Sequence, residues 1–418
     1  MKSTDKPKVK GLVVFDVEGV LLPKRRFIPF EIMGKLGFSK FLKIVFFGVL
    51  YEVGLSSLEA SLRRIYKCFR GYKIEELRHY FMKIPLLPGS IEVLNFLHEK
   101  GWKIALISSG LPQIFVEELA VKFKVDYAFG LKLKIDKGRF TGEIEGEVLR
   151  KNGKETILKR ILHSEGLSPQ SCILVADDRN NLQMFKYAGL KIGYNPDFML
   201  SAKSDYVVTE DLTKIIPIIA QNRFKRTHVS LTRESLIRET IHIAGFFTSF
   251  FCIYILNRYI TALLIFLVTV LYTASEFARI SGKTFPIFTL ITSKAAVKLE
   301  QYEFATAPIF YAFGIIISLL IFTPSISYAS IAILTLGDGA AALFGRKFGK
   351  TQFPFNKAKH LEGTIPGLIF AFVGASIFLN PTKAFIGAVV GTSVECLPTP
   401  VSDNIAVPLI SGVILTFI

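Results

Sequence analysis

Leu12-Val-Val-Phe-Asp16-Val-Glu18-Gly-Val-Leu-Leu22 is the stretch whose reading decides the fold of the front half of the chain. An apolar run ends in two acids one residue apart, and a glycine comes next. Such a run suits a strand buried on both faces, and open α/β sheets gather their chemistry at C-terminal strand tips. This reading makes Asp16 a nucleophile toward phosphorus. Glu18 points the same way two residues on and can pass a proton to a leaving oxygen. An acid after an apolar strand is also often a helix cap or a loop acid, so the assignment depends on the other strand ends of the chain.

Two further strands end in the same manner. Trp102-Lys-Ile-Ala-Leu-Ile-Ser108-Ser109-Gly110 closes on hydroxyls and a glycine. A serine and free N–H groups at such a tip suit a phosphate oxygen, although ordinary strand-to-helix turns have the same composition. Cys172-Ile-Leu-Val-Ala runs into Asp177-Asp178-Arg-Asn180-Asn181. A helix is expected around residues 89–99, ahead of the first of these strands, and a hairpin over 126–148 between the two. Lys151-Asn-Gly-Lys154 then opens a helix from which Lys154 can reach inward to phosphate and Asp16. Mg²⁺ takes oxygen ligands, so Asp16, the backbone carbonyl of Glu18 and Asp177 suit one ion, which with Lys154 would offset repulsion between phosphate and carboxylate. Residues 24–80 read as helices. The aromatic-rich stretch 38–51, broken by Lys40 and Lys43, is short for a membrane span. It reads as a buried cap helix, with an interfacial surface admitting a greasy substrate as the alternative.

In this order the motifs resemble the haloacid dehalogenase superfamily, and within it the phosphoserine phosphatases. The likeness covers residues 11–218 and includes Phe140-Thr-Gly-Glu-Ile-Glu-Gly-Glu-Val-Leu. The resemblance implies an α/β Rossmann-like domain with a helical cap. It also implies an aspartyl-phosphate on Asp16, Glu18 as general acid and then base, Ser108 and Lys154 on the phosphoryl group, and Mg²⁺ on Asp177. Three departures stand out. Glu18 replaces the usual second Asp, as in the enolase-phosphatases. Asn181 stands where a further acid is common, and Asp178 would compensate within the metal set. The cap Glu and Arg that hold serine's amino and carboxylate groups correspond, without gaps, to Arg25 and Ile65, which makes phosphoserine a poor substrate. A slip of one or two residues would bring Arg63 or Arg64 into place.

The chain has 418 residues, 50% of them hydrophobic, with a net charge of +17 and a mean hydropathy of +0.42. The length implies more than one domain. Cys68, Cys172, Cys252 and Cys396 show no metal-ligand spacing and suit a reduced compartment. The basic residues form no single long tract. They flank apolar segments, which argues against nucleic acid and for a bilayer. No signal-peptide-like run precedes the first strand, so the front domain is expected in the cytoplasm. We divide the chain into residues 1–225, a basic juxtamembrane linker at 226–240, and an all-α polytopic membrane domain at 241–418. Spans are expected at 241–257, 260–276, 304–323, 326–344, 364–380, 383–397 and 404–418, about seven in all, with six possible. Lysines and arginines concentrate in the loops that would then face the cytoplasm.

Acids at membrane depth are costly and point to function. Gly337-Asp338-Gly339-Ala-Ala-Ala-Leu-Phe-Gly345-Arg346-Lys347-Phe-Gly349-Lys350 pairs an acid between glycines with a basic loop suited to Mg²⁺ and phosphates. Asn356-Lys357-Ala-Lys359-His360-Leu-Glu362-Gly363-Thr364 continues that loop, and Glu395-Cys-Leu-Pro-Thr-Pro-Val-Ser-Asp403-Asn404 lies between the last two spans. Together these look like the CTP-dependent lipid kinases, the group of dolichol, phytol and CTP-dependent diacylglycerol kinases. Arg238-Glu-Thr-Ile-His242 and Glu276-Phe-Ala-Arg279 match that group more loosely. This resemblance implies phosphoryl transfer from CTP to a membrane alcohol. Asp338, Glu395 and Asp403 would serve as metal or base residues, and Arg346, Lys347, Lys357, Lys359 and Asn404 would bind nucleotide. The expected whole is a bifunctional, integral enzyme of the cytoplasmic membrane acting on lipid or prenyl alcohols and phosphates, its oligomeric state open. A membrane-anchored phosphoserine phosphatase and a non-catalytic lipid or nucleotide sensor are the alternatives.

Overall fold

Seven strands form one sheet in the order β4-β3-β2-β1-β5-β6-β7. The structure is a computed structural model describing residues 10–24, 36–52, 55–221, 233–280, 282, 301–397, 399 and 401–418. It divides into two units, Met1–Phe224 and Lys225–Ile418. Strand β1 (Leu12–Phe15) is buried throughout, as its unbroken apolar run requires. It lies between β2 (Lys103–Pro112) and β5 (Cys172–Ala176), parallel to both. Phe15 is in register with Leu106 on one side and Val175 on the other. That register alone brings Asp16, Ser108 and Asp177 to one edge of the sheet.

On the β2 side, β3 (Tyr127–Asp136) pairs parallel with β2 and antiparallel with β4 (Arg139–Glu145). Lys137 and Gly138 turn the expected hairpin with φ of 45° and 74°, the left-handed pair that a tight two-residue hairpin needs. Beyond β5 lie β6 (Leu190–Tyr194) and β7 (Tyr206–Val208), both parallel. Helices α1 (Phe38–Glu52), α2 (Leu58–Lys67) and α3 (Ile74–Phe81) fall in the expected cap region. Then come α4 (Ser90–Glu99), α5 (Gln113–Lys122), α6 (Gly153–Ser164), α7 (Leu182–Phe185), α8 (Phe198–Lys203) and α9 (Ile215–Gln221).

Helix α1 departs from the expected buried cap helix. Phe41 and Ile44 are buried, but Leu42, Val45 and Phe46 are 48%, 42% and 57% exposed. The helix is apolar around most of its circumference, and a small cap covers only one side of it.

The second unit is helical: α10 (Arg233–Ala244), α11 (Phe247–Tyr254), α12 (Arg258–Ile280), α13 (Ala307–Ile321), α14 (Pro324–Ala332), α15 (Gly339–Phe348), α16 (Leu361–Ala375), α17 (Pro381–Cys396) and α18 (Asp403–Phe417). A π-helical segment, Ile333–Asp338, joins α14 to α15. Seven spans are not what these lengths support. Among the described residues three helical stretches are long and apolar enough to cross a membrane: Ser235–Tyr254, Arg258–Ile280 and Pro324–Phe348. Helices α13, α16 and α18 are apolar but have 15 residues each. At 1.5 Å per residue each reaches about 22 Å, short of a hydrocarbon core of about 30 Å. Glycine lets α15 and α16 touch: a Cβ at Gly363 would lie 2.4 Å from the Ala341 carbonyl oxygen and 2.9 Å from the Gly345 nitrogen.

Candidate functional site

Asp16 leaves β1 with its N–H donating to the Val175 carbonyl at 3.0 Å, so the side chain emerges at the strand tip. Its Oδ1 accepts from the Val17 N–H at 2.9 Å. Oδ2 accepts from the Lys154 ammonium at 3.1 Å and from the Asn181 amide. Lys154 sits in the first turn of α6, turned inward, and also donates to Asn181 Oδ1 at 3.0 Å. Glu18 accepts from Ser108 Oγ at 2.5 Å, and Ser108 Oγ accepts the Leu111 N–H at 2.9 Å. Two glycines make room for these acids. A Cβ at Gly110 would lie 2.0 Å from Glu18 Oε1, and one at Gly19, where φ is +81°, would lie 2.2 Å from Asp177 Oδ2.

Asp16, Asp177 and Asp178 are buried and bring one carboxylate oxygen each within 4.8 Å of the others. An all-oxygen, acidic donor set of this kind fits Mg²⁺. Three buried carboxylates and the half-buried Glu18 face two ammonium groups, so the pocket is short of positive charge. One of those ammoniums was not anticipated: Lys24 Nζ lies 2.8 Å from Asp177 Oδ2 and 3.4 Å from Asp178 Oδ2. No periodic or motif signal marks Lys24 in the sequence. Asn181, expected among the metal ligands, uses its oxygen on Lys154 and its amide on Asp16 and Asp178.

Burial dominates the electrostatics. It raises Asp16 despite the opposing Lys154 charge. It pushes Glu18 up to about 7, helped by the neighbouring Asp16 charge. Asp177 is raised well above the usual carboxylate range by burial, against Lys24. For Asp178 burial is outweighed by Lys24 and Lys154, and the group ends below its ordinary value. For Lys154 burial is outweighed by Asp16, Asp178 and Glu18, which hold it protonated.

The cap turns aromatic groups toward this edge. Tyr66 donates to the Gly110 carbonyl at 2.6 Å, and burial followed by the Glu18 charge raises its hydroxyl. Arg63 is engaged by Glu59 and by the Ile144 carbonyl, and Arg64 lies 5.3 Å from the Phe47 ring centre. Ile65 is half-buried, and Arg25 lies outside the described residues. At the end of α1, the Tyr51 carbonyl accepts from Arg179 and its hydroxyl from Asn180, so the cap grips the loop bearing Asp178.

The second unit holds a separate cluster. Lys359 Nζ lies 2.7 Å from Glu395 Oε1, 3.4 Å from Asp403 Oδ2 and 3.7 Å from Asp338 Oδ1. His242 Nε2 lies 3.0 Å from Asn404 Oδ1 and 3.5 Å from Asp338 Oδ2. These residues come from the π-helical segment, the loop before α16, the end of α17, the start of α18, and α10. Their acids are bridged by an ammonium. Among the described residues only Asp16, Asp177 and Asp178 draw three acid oxygens together, so Asp338 does not join a compact ligand set. Of the expected nucleotide-binding cations, only Lys359 is in the cluster. Arg346 pairs with Glu239 at 3.3 Å. Lys347 lies 5.2 Å from the Phe348 ring centre, and Lys357 lines a hollow of about 410 Å³ with Lys350 and Thr351. Glu276 and Arg279 pair at 2.7 Å.

Buried carboxylates at the strand tips of a mostly parallel open sheet, with an inward lysine and a serine of β2 beside them, define a hydrolase of the haloacid dehalogenase type. The haloacid dehalogenase-like hydrolase family matches residues 13–186. A phosphoserine phosphatase of Methanocaldococcus jannaschii is 31% identical over 213 residues, which are 51% of this chain and 99% of that protein. One of Archaeoglobus fulgidus is 30% identical over 221 residues, 52% of this chain and 62% of its own length. A solved phospho-aspartyl intermediate analogue of phosphoserine phosphatase is 30% identical, covers 50% of this chain and 99% of its own, and has a TM-score of 0.46. The chain belongs to the haloacid dehalogenase-like hydrolases through its front half. Within them, that half is phosphoserine phosphatase-like.

Proposed function

We propose that the protein is a bifunctional membrane enzyme of lipid phosphate metabolism, with a Mg²⁺-dependent phosphomonoesterase in the first unit and a CTP-dependent alcohol kinase in the second. The observation that carries the first half is the convergence of Lys154 and Asn181 on one oxygen of Asp16, beside the Ser108–Glu18 pair. Asp16 attacks phosphorus and the ester P–O bond breaks as the Glu18 proton moves to the leaving oxygen. Water then attacks the aspartyl-phosphate, Glu18 takes its proton, and the P–O bond to Asp16 breaks to release inorganic phosphate. Ser108 and Lys154 hold the phosphoryl oxygens. Asp16, Asp177 and Asp178 would hold Mg²⁺, which when bound supplies charge neutralisation at the phosphoryl group.

The leaving group is proposed to be a lipid rather than serine. The half-buried Ile65 and the engagement of Arg63 and Arg64 elsewhere support this, because a serine carboxylate needs a cation. The membrane-spanning lengths of the second unit support it too.

For the second unit, the support is Lys359 among Asp338, Glu395 and Asp403. A carboxylate of this group takes the alcohol proton while the alcohol oxygen bonds to the γ-phosphorus of CTP and CDP leaves. Full-length protein in lipid discs should transfer label from γ-labelled CTP, and not ATP, to one of a panel of prenyl alcohols, phytol and diacylglycerol. Labelling of none defeats the kinase reading. A second reading, a membrane-anchored phosphoserine phosphatase, is favoured by the names of the relatives. Faster release of phosphate from phosphoserine than from a prenyl phosphate would establish it.

A further inference from the structure

Helix α1 presents three arcs. Phe41 and Ile44 are buried. Leu42, Val45 and Phe46, spaced i, i+3 and i+4, form one exposed apolar stripe. Lys40 and Lys43, both exposed, occupy the third arc beside it. The Lys40 ammonium lies 5.9 Å from the Tyr72 ring centre and the residue is still exposed, as is Lys43, so both ammonium groups are open to an anionic surface beside the apolar stripe. Leu55, just past the helix, is 78% exposed. A contiguous exposed apolar stripe marks an interaction site.

Two facts select the occupant. Among the described residues three helical stretches are long and apolar enough to cross a membrane, so a bilayer is covalently within reach of this unit. Residues 36–81 hold eight Lys and Arg against four Asp and Glu, which opposes a second copy of the same cap and complements an anionic surface. We infer that α1 is an in-plane membrane-docking helix: Leu42, Val45 and Phe46 enter the boundary between headgroups and acyl chains, and Lys40 and Lys43 meet lipid phosphates. The geometry is that of an interfacial helix with an apolar face and a flanking basic face. It stands whichever phosphate ester the first unit hydrolyses.

The test uses the full chain in discs of phosphatidylcholine, with and without phosphatidylglycerol, containing acyl-brominated lipid as a fluorescence quencher. Trp102, the single native tryptophan, is the reference signal. In Phe46→Trp the added fluorescence is expected to be quenched, more strongly with phosphatidylglycerol, and the quenching should fall severalfold when Lys40→Glu and Lys43→Glu are added. Val121→Trp, at an exposed position of α5, should stay unquenched. Hydrolysis of a small soluble phosphomonoester at the wild-type rate verifies that each variant is folded. Absence of lipid quenching at position 46 overturns the inference. So does quenching indifferent to the lysines and to phosphatidylglycerol, or protection of position 46 that rises with protein concentration and marks a cap–cap dimer.

Discussion

Ser108 Oγ donates to Glu18 Oε2 at 2.5 Å, and this bond ties the loop after β1 to the body of β2. It fixes the proposed acid beside the nucleophile without using the Asp16 oxygens. Glu18→Gln keeps the shape and the hydrogen bond but removes the transferable proton, so kcat should fall by about 10²–10⁴-fold. The loss should be greater for an alkyl phosphate than for p-nitrophenyl phosphate, whose leaving oxygen needs no proton. Steady-state kinetics on the two esters checks this, and equal losses would remove Glu18 from the acid role.

The raised Glu18 also links stability to pH. Its carboxyl titrates near 7 in the folded, metal-free protein, against 4.5 for the ordinary group. Below 4.5 the group is protonated in both states and costs nothing. As pH rises toward 7 the unfolded chain loses the proton first, so folding stability declines across that window and levels off above it. The full swing is on the order of 3 kcal/mol for a shift of this size. Trp102 is the only tryptophan and lies in the first unit, so its fluorescence reports that unit's melting. In chelator-treated protein, Glu18→Gln should lessen the fall in melting temperature between pH 4.5 and 7, the raised Asp16 and Asp177 supplying the part that remains.

Much of this site was legible because Asp16 and Asp177 sit immediately past strand ends. Once β1, β2 and β5 are placed in parallel, register brings Asp16, Ser108 and Asp177 together, and the apolar runs supply that placement. Lys24 was not legible, since its position depends on how the chain leaves Leu22 and no periodicity encodes that. The exposure of α1 was hidden for a related reason. A helix apolar over most of its circumference reads as core unless the size of what covers it is known. In the second unit the cluster residues were legible as acids and cations in apolar surroundings. The count of spans was not, because composition alone does not reveal that α13, α16 and α18 stop after 15 residues.

Lys24 stands where a divalent ion would compete. Its ammonium lies 2.8 Å from Asp177, with the Lys24 side chain 27% exposed, so it can swing out when metal enters. Lys24→Ala should therefore tighten Mg²⁺ binding, by roughly tenfold if about 1.4 kcal/mol of ammonium–carboxylate attraction must be broken. Titration calorimetry of chelator-treated protein measures this directly. A weaker or unchanged Mg²⁺ affinity would assign Lys24 to substrate rather than to the metal acids.

Lys359 is the matching test in the second unit. Its ammonium lies within 3.7 Å of Glu395, Asp403 and Asp338, and the Glu395 side chain is 5% exposed. Removing one partner of a fully buried ion pair costs about 3–5 kcal/mol. Lys359 retains 25% side-chain exposure, so Lys359→Met should fall at or below the lower end of that range. Scanning calorimetry in detergent should show a lower transition temperature for the second unit and an unchanged first-unit transition by Trp102 fluorescence. Adding Glu395→Gln removes the least exposed of the stranded charges and should restore part of the loss. If the double variant is instead less stable than Lys359→Met, the acids are held by partners other than this lysine, and the cluster loses its claim to be organised around one cation.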